Sequence, residues 1–335
     1  MTTQKDIAKA LGISVAAVSK ALNGAPDIGE DMKEAVRKKA LELGYVLNAT
    51  AKALRSRKSK LVGLIYSGIE KSGLTHDFFS AVLDAFRNEA EKEGYSVIFL
   101  QEREGMDYLD MVHYWDMDGV AIIYCDFTEP AIQRLIASSV PMVILNFPFQ
   151  NKISVQSDSY NAGKTLIHAL YDGGYRSFAI VKSEGGPRAR VFKERVDGYF
   201  QALSEVGLKP VSEVSCAPYD PVTSAKATES ILSECRPDVI VYTDDIAAMT
   251  GMTVLRYNGL KPFDDIGVVG FGGMKLSRLI SPVLTTFVLD MKGLGTKMAS
   301  ELVKWMTEPS SFVPKCHFVS GSFQEGKTAR LPIKR

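Results

Sequence analysis

Hydrophobic and polar positions follow two different periods along the chain, and the change falls near residue 60. Residues 1–46 carry apolar side chains three and four positions apart, which predicts three short helices. From Leu61 onward, short apolar runs rich in β-branched residues alternate with amphipathic helical stretches. The runs lack the alternation of a half-exposed strand, so they predict strands buried on both faces of parallel sheets.

Seven of these runs are predicted strands, and the helical stretches between them predict crossover connections. About 270 residues of this pattern suit an α/β core of two doubly wound parallel-sheet lobes behind an all-α N-terminal segment. The predicted strands cover residues 61–66, 96–100, 119–124, 141–146, 178–181, 238–242 and 266–271.

The first two predicted helices are separated by a tight turn. Ile7, Ala8 and Leu11 lie on one face of the first helix, and Gly12 stands where that helix ends. Ser14 then offers a side-chain oxygen as the N-cap of the second helix. This spacing is typical of a helix-turn-helix, whose second helix enters the major groove of DNA.

The second and third helices complete this segment. Val18 and Leu22 face inward from the second helix, which leaves Val15, Ala16, Ser19 and Lys20 on its outer face. The third helix is predicted to begin near Gly29 and to end at Gly44. Its predicted inner face consists of Met32, Ala35, Val36, Ala40 and Leu43.

Charge is distributed unevenly between the two parts of the chain. Residues 1–60 contain 12 Lys or Arg and 6 Asp or Glu, a net charge of +6. The remainder contains 28 basic and 33 acidic residues, a net charge of −5, so the whole chain carries +1. A basic segment before a larger acidic body favours a polyanion as the partner of that segment. Lys33, Arg37, Lys38 and Lys39 are equally consistent with a solvated helix face.

Composition limits the class of protein. The four cysteines lie far apart and form no CxxC pair, which predicts reduced thiols. No signal peptide pattern and no apolar run of membrane-spanning length is visible, so no membrane partner and a cytoplasmic location are expected.

No enzyme signature stands out. The four histidines, His76, His113, His168 and His317, are scattered without metal-ligand spacing. No GxSxG or Walker-type motif is present. Residues 183–187 are glycine-rich but are not followed by the lysine and serine that close a phosphate loop, so they are predicted as a strand-to-helix loop. We therefore predict no catalytic residue, no cofactor and no metal site.

The N-terminal motifs are similar to those of LacI/GalR-family bacterial regulators. Asp6 to Ser14 reads D-I-A-K-A-L-G-I-S, and Val15 to Asn23 reads V-A-A-V-S-K-A-L-N. The match continues through E-L-G-Y, ending at Tyr45, and through a hinge-like segment at residues 47–55. A helix-turn-helix alone is moderately specific, but this order of motifs before an α/β chain is very specific.

The resemblance implies three parts. These are a DNA-binding headpiece at 1–46, a hinge helix and linker at 47–60, and an effector-binding and dimerisation core at 61–335. The core is expected to resemble periplasmic sugar-binding proteins. Its first lobe would take about 61–161 plus 291–320, and its second lobe about 162–290 plus the C-terminal tail.

DNA contacts follow from matching family positions. Ser14, Ser19, Asn23 and Tyr45 are expected to contact phosphates. Val15 and Ala16 lack polar groups and suit thymine methyls, whereas Lys20 is the expected reader of a guanine. Many relatives have arginine there, and lysine makes a point contact in place of a bidentate one.

The hinge supplies a further expected contact. Asn48 is a suitable N-cap, and Ala51 belongs to a slim helical stretch. Leu54 matches the family's wedge leucine, which inserts between base steps of the minor groove. A helix this short is marginal alone, so we expect it to fold on DNA as part of a homodimer bound to a palindrome. A disordered linker is the alternative.

The resemblance also implies an effector cleft. The expected lining residues are Phe78, Asn146, Phe147, Arg195, Tyr219 and Asp244. Arg195 precedes Gly198-Tyr199 as in the family motif R-x-x-G-F/Y, whose arginine holds effector hydroxyls or a carboxylate. Relatives commonly read G-F/Y-D-D after the late strand, but this chain has Gly272 in place of the first aspartate. Asp244 could take over its acceptor role.

These features predict a cytoplasmic, nucleoid-associated transcriptional regulator. We expect a repressor of a carbohydrate uptake or catabolism operon that responds to a sugar or sugar derivative. A phosphorylated sugar, a sugar acid, a nucleoside or a partner protein stays open as the effector. The other classes are a sugar receptor with a vestigial head and an α/β enzyme, and both are disfavoured by the basic head and the hinge.

Overall fold

The computed structural model describes residues 2–46, 58–67, 73–185 and 189–332. The chain divides into two compact units, Met1–Ser59 and Lys60–Arg335. The predicted hinge contacts Asn48, Ala51 and Leu54 lie outside the described residues.

The described part of the first unit folds into three helices: α1 (Gln4–Leu11), α2 (Val15–Leu22) and α3 (Glu30–Glu42). Gly12 ends α1 in the left-handed conformation at φ 65°. Ser14 caps α2, because its side-chain oxygen accepts a hydrogen bond from the Ala17 N–H at 3.0 Å. The helices bury a small apolar core formed by Ile7, Ala8, Val18, Ala21, Val36 and Ala40.

The predicted inner face of α3 was partly wrong. Val36 and Ala40 are buried, but Met32, Ala35 and Leu43 are exposed. Lys33 is buried in their place, and its ammonium lies 2.8 Å from the Glu30 carboxylate. The buried stripe therefore runs through positions 33, 36 and 40, because the aliphatic stem of a lysine can pack while its charge stays at the surface.

The second unit contains two six-stranded sheets. The first has the order β11-β5-β4-β3-β1-β2 and is parallel throughout. The second has the order β12-β10-β9-β8-β6-β7, and β12 alone is antiparallel to its neighbour. The strands are β1 (Leu61–Tyr66), β2 (Ser96–Leu100), β3 (Gly119–Tyr124), β4 (Met142–Leu145), β5 (Ile153–Ser157), β6 (Phe178–Ser183), β7 (Ser212–Cys216), β8 (Val239–Tyr242), β9 (Gly267–Gly272), β10 (Thr285–Val288), β11 (Lys315–Val319) and β12 (Ser322–Gln324).

Helices cover both faces of each sheet, as expected for doubly wound lobes. They are α4 (Asp77–Lys92), α5 (Tyr108–Tyr114), α6 (Pro130–Ala137), α7 (Ser159–Asp172), α8 (Ala189–Glu205), α9 (Pro221–Glu234), α10 (Asp245–Tyr257) and α11 (Met291–Thr307). Short 3₁₀ turns lie at Gly73–Thr75, Lys275–Arg278 and Pro309–Ser311.

The chain crosses between the lobes more than once. It passes from β5 to α7, which packs on α8 of the second lobe, and returns after β10 through α11, which packs on α4 of the first lobe. The strand β11 then joins the first sheet and β12 the second. The strands at the centre of both sheets are buried, which confirms the predicted two-lobed α/β core. Among the described residues, no helix is long and apolar enough to cross a membrane.

Candidate functional site

The outer face of α2 is open to solvent. Val15, Ala16 and Lys20 are exposed, whereas Val18 and Ala21 on the opposite face are buried in the core of the first unit. A helix with one face anchored and the other accessible can lie in a groove of DNA. The side chains predicted to contact bases therefore lie together on one accessible surface.

Two other predicted DNA contacts have partners within the first unit. The Asn23 side-chain amide donates a hydrogen bond to the Ser19 carbonyl oxygen at 2.5 Å, which closes the end of α2. Tyr45 is half-buried and packs against the core of the three helices.

A small cavity lies between the lobes, where the carboxyl ends of β3 and β4 meet the start of α8. It brings Phe78, Asn146 and Phe147 together, as predicted, and adds Arg190 from the second lobe. Its volume is about 30 Å³. Pockets for small organic ligands usually measure about 300–1,000 Å³, so this cavity, as the described residues line it, has room for water and not for a sugar ring.

Aromatic side chains line and flank this cavity. Phe147 stacks on Phe127 with ring centroids 4.2 Å apart, and Phe149 lies 5.1 Å from Phe147. The Arg190 guanidinium lies 5.9 Å from the Phe147 ring and donates a hydrogen bond to the Gln156 side-chain oxygen at 3.3 Å. Arg190 thus joins α8 of the second lobe to β5 of the first.

The backbone is left-handed at two of the predicted cleft residues. Asn146 has φ 54° and Tyr219 has φ 55°. Asparagine adopts this conformation readily, but for tyrosine it costs about 1–3 kcal/mol and is common at binding sites. The Asn146 side-chain oxygen accepts hydrogen bonds from the Ser157 N–H and hydroxyl, at 2.8 and 3.1 Å, which ties the end of β4 to the end of β5.

Ring contacts connect the two walls of the cleft. His76 of the first lobe lies 5.2 Å from Phe79 and 4.8 Å from Tyr219 of the second lobe, measured between ring centroids. Tyr219 in turn lies 5.9 Å from Phe192 on α8. The His76 ring nitrogen Nδ1 accepts the Phe78 N–H at 3.2 Å and so caps α4. His76 therefore positions the α4 terminus and contacts the opposite lobe.

Asp244 is buried at the carboxyl end of β8. One carboxylate oxygen caps α10 by accepting the Ala247 N–H at 2.8 Å. The other accepts the Ser183 hydroxyl at 2.8 Å and the Tyr219 N–H at 3.5 Å. Asp244 thus holds the Tyr219 loop against the ends of β6 and β8.

Arg195 lies almost fully buried in the second lobe. Its guanidinium donates a hydrogen bond to the Thr243 carbonyl oxygen and lies 3.6 Å from the centroid of the Phe271 ring. The remainder of its motif has a packing role. Gly198 lies against the Tyr160 carbonyl of α7, and the buried Tyr199 donates a hydrogen bond to the Tyr242 carbonyl at 3.4 Å.

Glycine at position 272 has a structural reason. Its φ of 129° lies in a region that residues with a side chain rarely adopt. A Cβ atom there would also lie 3.8 Å from the carboxylate of Asp245, which is already buried beneath this loop. An aspartate at this position would be strained and would face a second negative charge.

Sequence reasoning missed three cleft residues: His76, Phe127 and Arg190. Phe127 follows β3, and Arg190 follows the glycine-rich loop after β6, so their positions after strand ends were the available signal. Within the described ranges, no group of three or more His, Cys, Asp and Glu side chains is arranged to hold a metal ion.

Both units match known family models. Residues 3–48 match the bacterial regulatory proteins of the lacI family, and residues 59–320 match the periplasmic binding proteins and sugar binding domain of the LacI family. The probable HTH-type transcriptional repressor ExuR of Bacillus subtilis is 27% identical, over 94% of this chain and 95% of its own. The HTH-type transcriptional repressor PurR of Vibrio campbellii is 28% identical, over 90% of this chain and 91% of its own.

Solved structures share the fold. The crystal structure of the lac repressor dimer bound to operator and the anti-inducer ONPF superposes with a TM-score of 0.79 and 22% identity, covering 98% of each chain. Because a matching headpiece model and a matching core model together span nearly the whole chain, this protein belongs to the LacI family of bacterial regulators: it is a DNA-binding transcriptional regulator with an effector-binding core, and not an enzyme.

Proposed function

We propose that this protein is a cytoplasmic, nucleoid-associated repressor of a carbohydrate uptake or catabolism operon. It binds a palindromic operator as a homodimer, and a sugar or sugar derivative controls the binding. The observation that carries the DNA-binding part is the exposed outer face of α2 on an otherwise packed three-helix unit. Some relatives are named as repressors, among them the ribose operon repressor of Haemophilus influenzae at 26% identity, and this supports repression over activation.

On DNA, the exposed face of α2 divides into positioning and reading groups. Ser14, Ser19, Asn23 and Tyr45 contact phosphates, and Lys20 donates hydrogen bonds to a guanine edge. Val15 and Ala16 pack against thymine methyl groups, because they are exposed and carry no polar side-chain atom.

The hinge provides the remaining DNA contacts in this proposal. Asn48 starts a short helix, Ala51 keeps it slim, and Leu54 inserts into the minor groove at the operator centre. This assignment rests on the family motif, since these residues lie outside the described part of the chain. Two protomers supply two leucines, which requires a dimer such as that of the lac repressor structure.

The effector binds between the lobes, against Phe78, Asn146, Phe147, Arg195, Tyr219 and Asp244. Aromatic faces beside a few fixed polar groups suit the apolar and hydroxyl faces of a sugar ring. The cavity of about 30 Å³ that the described residues line is smaller than a sugar ring, so we expect the effector to bind with the lobes further apart. A regulator solved with cellobiose, CelR, has the same fold at a TM-score of 0.70.

A nucleoside is the second candidate effector. The stacked pair Phe127 and Phe147, with Phe149 beside it, offers flat apolar surfaces that suit a planar base as well as a sugar. The two candidates predict different regulated genes.

Sequencing of captured DNA tests the proposal. Purified protein is mixed with fragmented genomic DNA, with and without pooled metabolites, and the bound fragments are sequenced. We expect a palindrome beside carbohydrate transport or catabolic genes. A palindrome beside genes of nucleoside metabolism would favour the second effector. If no sequence is enriched with or without metabolites, the proposed binding to a palindromic operator is refuted.

The same capture assay with Leu54→Ala tests the hinge. Specific affinity should fall far more than non-specific affinity, because a wedge acts only where the operator is bent. Equal losses on operator and random DNA would refute the wedge.

A further inference from the structure

A carboxylate from the loop between α2 and α3 is paired with the lysine on the outer face of α2. The Asp27 side-chain oxygen lies 2.5 Å from the Lys20 ammonium. Both side chains are about half exposed, so the pair lies at the surface and not within the core. The Lys20 side of the pair belongs to the outer face of α2, which also carries the exposed Val15 and Ala16.

The backbone fixes the position of this carboxylate. The Ala25 N–H donates to the Lys20 carbonyl at 3.0 Å, and the Ile28 N–H donates to the Ala25 carbonyl at 3.3 Å. Ile28 itself packs against the apolar core of the three helices. The backbone of Asp27 is therefore held between two anchored residues, and this position does not depend on the side chain of Lys20.

Asp27 is ionised at neutral pH. The hydrogen bond from Lys20 lowers the pKa of this carboxyl below its ordinary value of 3.8. A permanent negative charge on a DNA-binding face repels phosphates, since the duplex carries one charge for about every 1.7 Å of its axis. A carboxylate at this position therefore lowers the affinity for DNA of any sequence, unless it also makes a favourable contact with a base.

The Lys20–Asp27 pair can make such contacts with the edges of bases. An ammonium has three N–H donors, and the bond to Asp27 occupies one, which leaves two for the O6 and N7 acceptors of guanine. The carboxylate accepts from the N4 amino group of cytosine and is repelled by the O4 of thymine and the O6 of guanine.

We propose that Asp27 is a positioning and specificity-determining residue of the DNA-binding face. It directs the Lys20 ammonium to a guanine edge and away from phosphates, and it disfavours thymine or guanine beside that contact. This inference rests on the proposed role of α2 as the recognition helix. It goes further by assigning discrimination to a residue outside that helix.

Selection from a randomised half-site tests the inference in the full-length protein. We compare the wild type with Asp27→Asn, and with Asp31→Asn as a matched control. Asp31 is an exposed carboxylate in the first turn of α3, so its replacement removes the same charge from the same unit. Thermal unfolding of each variant verifies that the fold is retained.

Asp27→Asn should relax the preference for guanine by roughly fivefold or more, since a good base contact supplies at least that factor. Its log affinity should depend more steeply on log salt, by about 0.9, because the released Lys20 gains one phosphate contact. Asp31→Asn should keep the wild-type base preference. Combined with Lys20→Ala, Asp27→Asn should not change the guanine preference further.

If the wild type selects a sequence and Asp27→Asn selects the same bases, the inference about Asp27 is overturned while the proposed function stands. Equal changes in Asp27→Asn and Asp31→Asn would also overturn it, since they would reflect general charge. Failure of the wild type to select any sequence would overturn the proposed function and this inference with it.

Discussion

Asp245, the first residue of α10, is fully buried beside β9 of the second lobe. Its two carboxylate oxygens accept hydrogen bonds from the Thr286 hydroxyl and the Met274 N–H, both at 2.6 Å. Burial raises the pKa of this carboxyl to about 6, although the hydrogen bonds from Thr286 and Met274 oppose the rise. A Cβ atom at Gly270 would lie 2.4 Å from the carboxylate, so glycine at this position makes room for it.

Asp245 should make stability depend on pH. The folded state holds the proton more tightly than the unfolded state, whose value is near 3.8. Its stabilising contribution is therefore fully present below about pH 4 and is lost as the pH rises through about 6. Asparagine at this position does not titrate.

Urea unfolding of the wild type and Asp245→Asn at pH values on either side of this window measures the effect. The stability of the wild type relative to the variant should be greater at the lower pH. The exposed Asp264→Asn serves as the control and should show no such change. The same difference between wild type and Asp245→Asn at both pH values would contradict the prediction.

At the scale of elements, α7 and α8 approach each other through a reciprocal pair of glycines. A Cβ atom at Gly163 on α7 would lie 2.5 Å from the Arg195 carbonyl of α8. A Cβ atom at Gly198 on α8 would lie 2.2 Å from the Tyr160 carbonyl of α7. Because the obstacles are backbone atoms, the two helices can be this close only with glycine at both positions. The same contact holds α8, with Arg190 and Arg195, against the second lobe.

Gly198→Ala should lower the free energy of unfolding by about 1–3 kcal/mol, the usual cost of overpacking. The loss should occur although alanine favours helices by about 1 kcal/mol over glycine. Chemical denaturation measures it, with Ser204→Ala on the exposed face of α8 as a control of near-neutral effect. An unchanged or higher stability of Gly198→Ala would show that the helices separate without cost.

At the scale of the whole molecule, contacts across the cleft hold the lobes of the second unit together. The Lys275 N–H of the second lobe donates to the Asp77 carboxylate of the first at 2.9 Å. The Arg190–Gln156 hydrogen bond and the His76–Tyr219 ring contact span the same cleft. An effector that enters between the lobes must replace these contacts, so its binding free energy can change the lobe arrangement.

Arg195→Ala should abolish the response to effector and leave DNA binding without effector unchanged. Arg195 belongs to the second unit, whereas α2 belongs to the first. Operator binding is titrated with the sugar metabolised by the captured operon, in the wild type, Arg195→Ala and Arg195→Lys. The lysine variant should respond weakly, because it keeps the charge but not the two-pronged donor geometry. A normal response in Arg195→Ala would remove this residue from the effector site.

Local signals in the sequence determined most of the elements. The seven predicted strands coincide with β1–β4, β6, β8 and β9 to within one or two residues, because central strands of parallel sheets are continuous apolar runs. The cap at Ser14 and the end of α1 at Gly12 were predictable from single residues, since caps depend on local backbone chemistry. The family motif also lies in contiguous residues, so the class of protein was readable from the sequence.

Only the tertiary structure decided what depends on distant partners. The strand β5 is buried although it contains Ser154 and Gln156, which no hydrophobic pattern predicts. Hydrophobic periodicity did not predict that Lys33 is buried. It also did not predict that Lys20 pairs with Asp27 or that Arg190 lies near Phe147, because these partners are not related by the period of one helix or strand. Periodicity determines which residues form a helix or strand. Side-chain partners depend on how those elements pack, because burial and hydrogen bonding are properties of the folded neighbourhood.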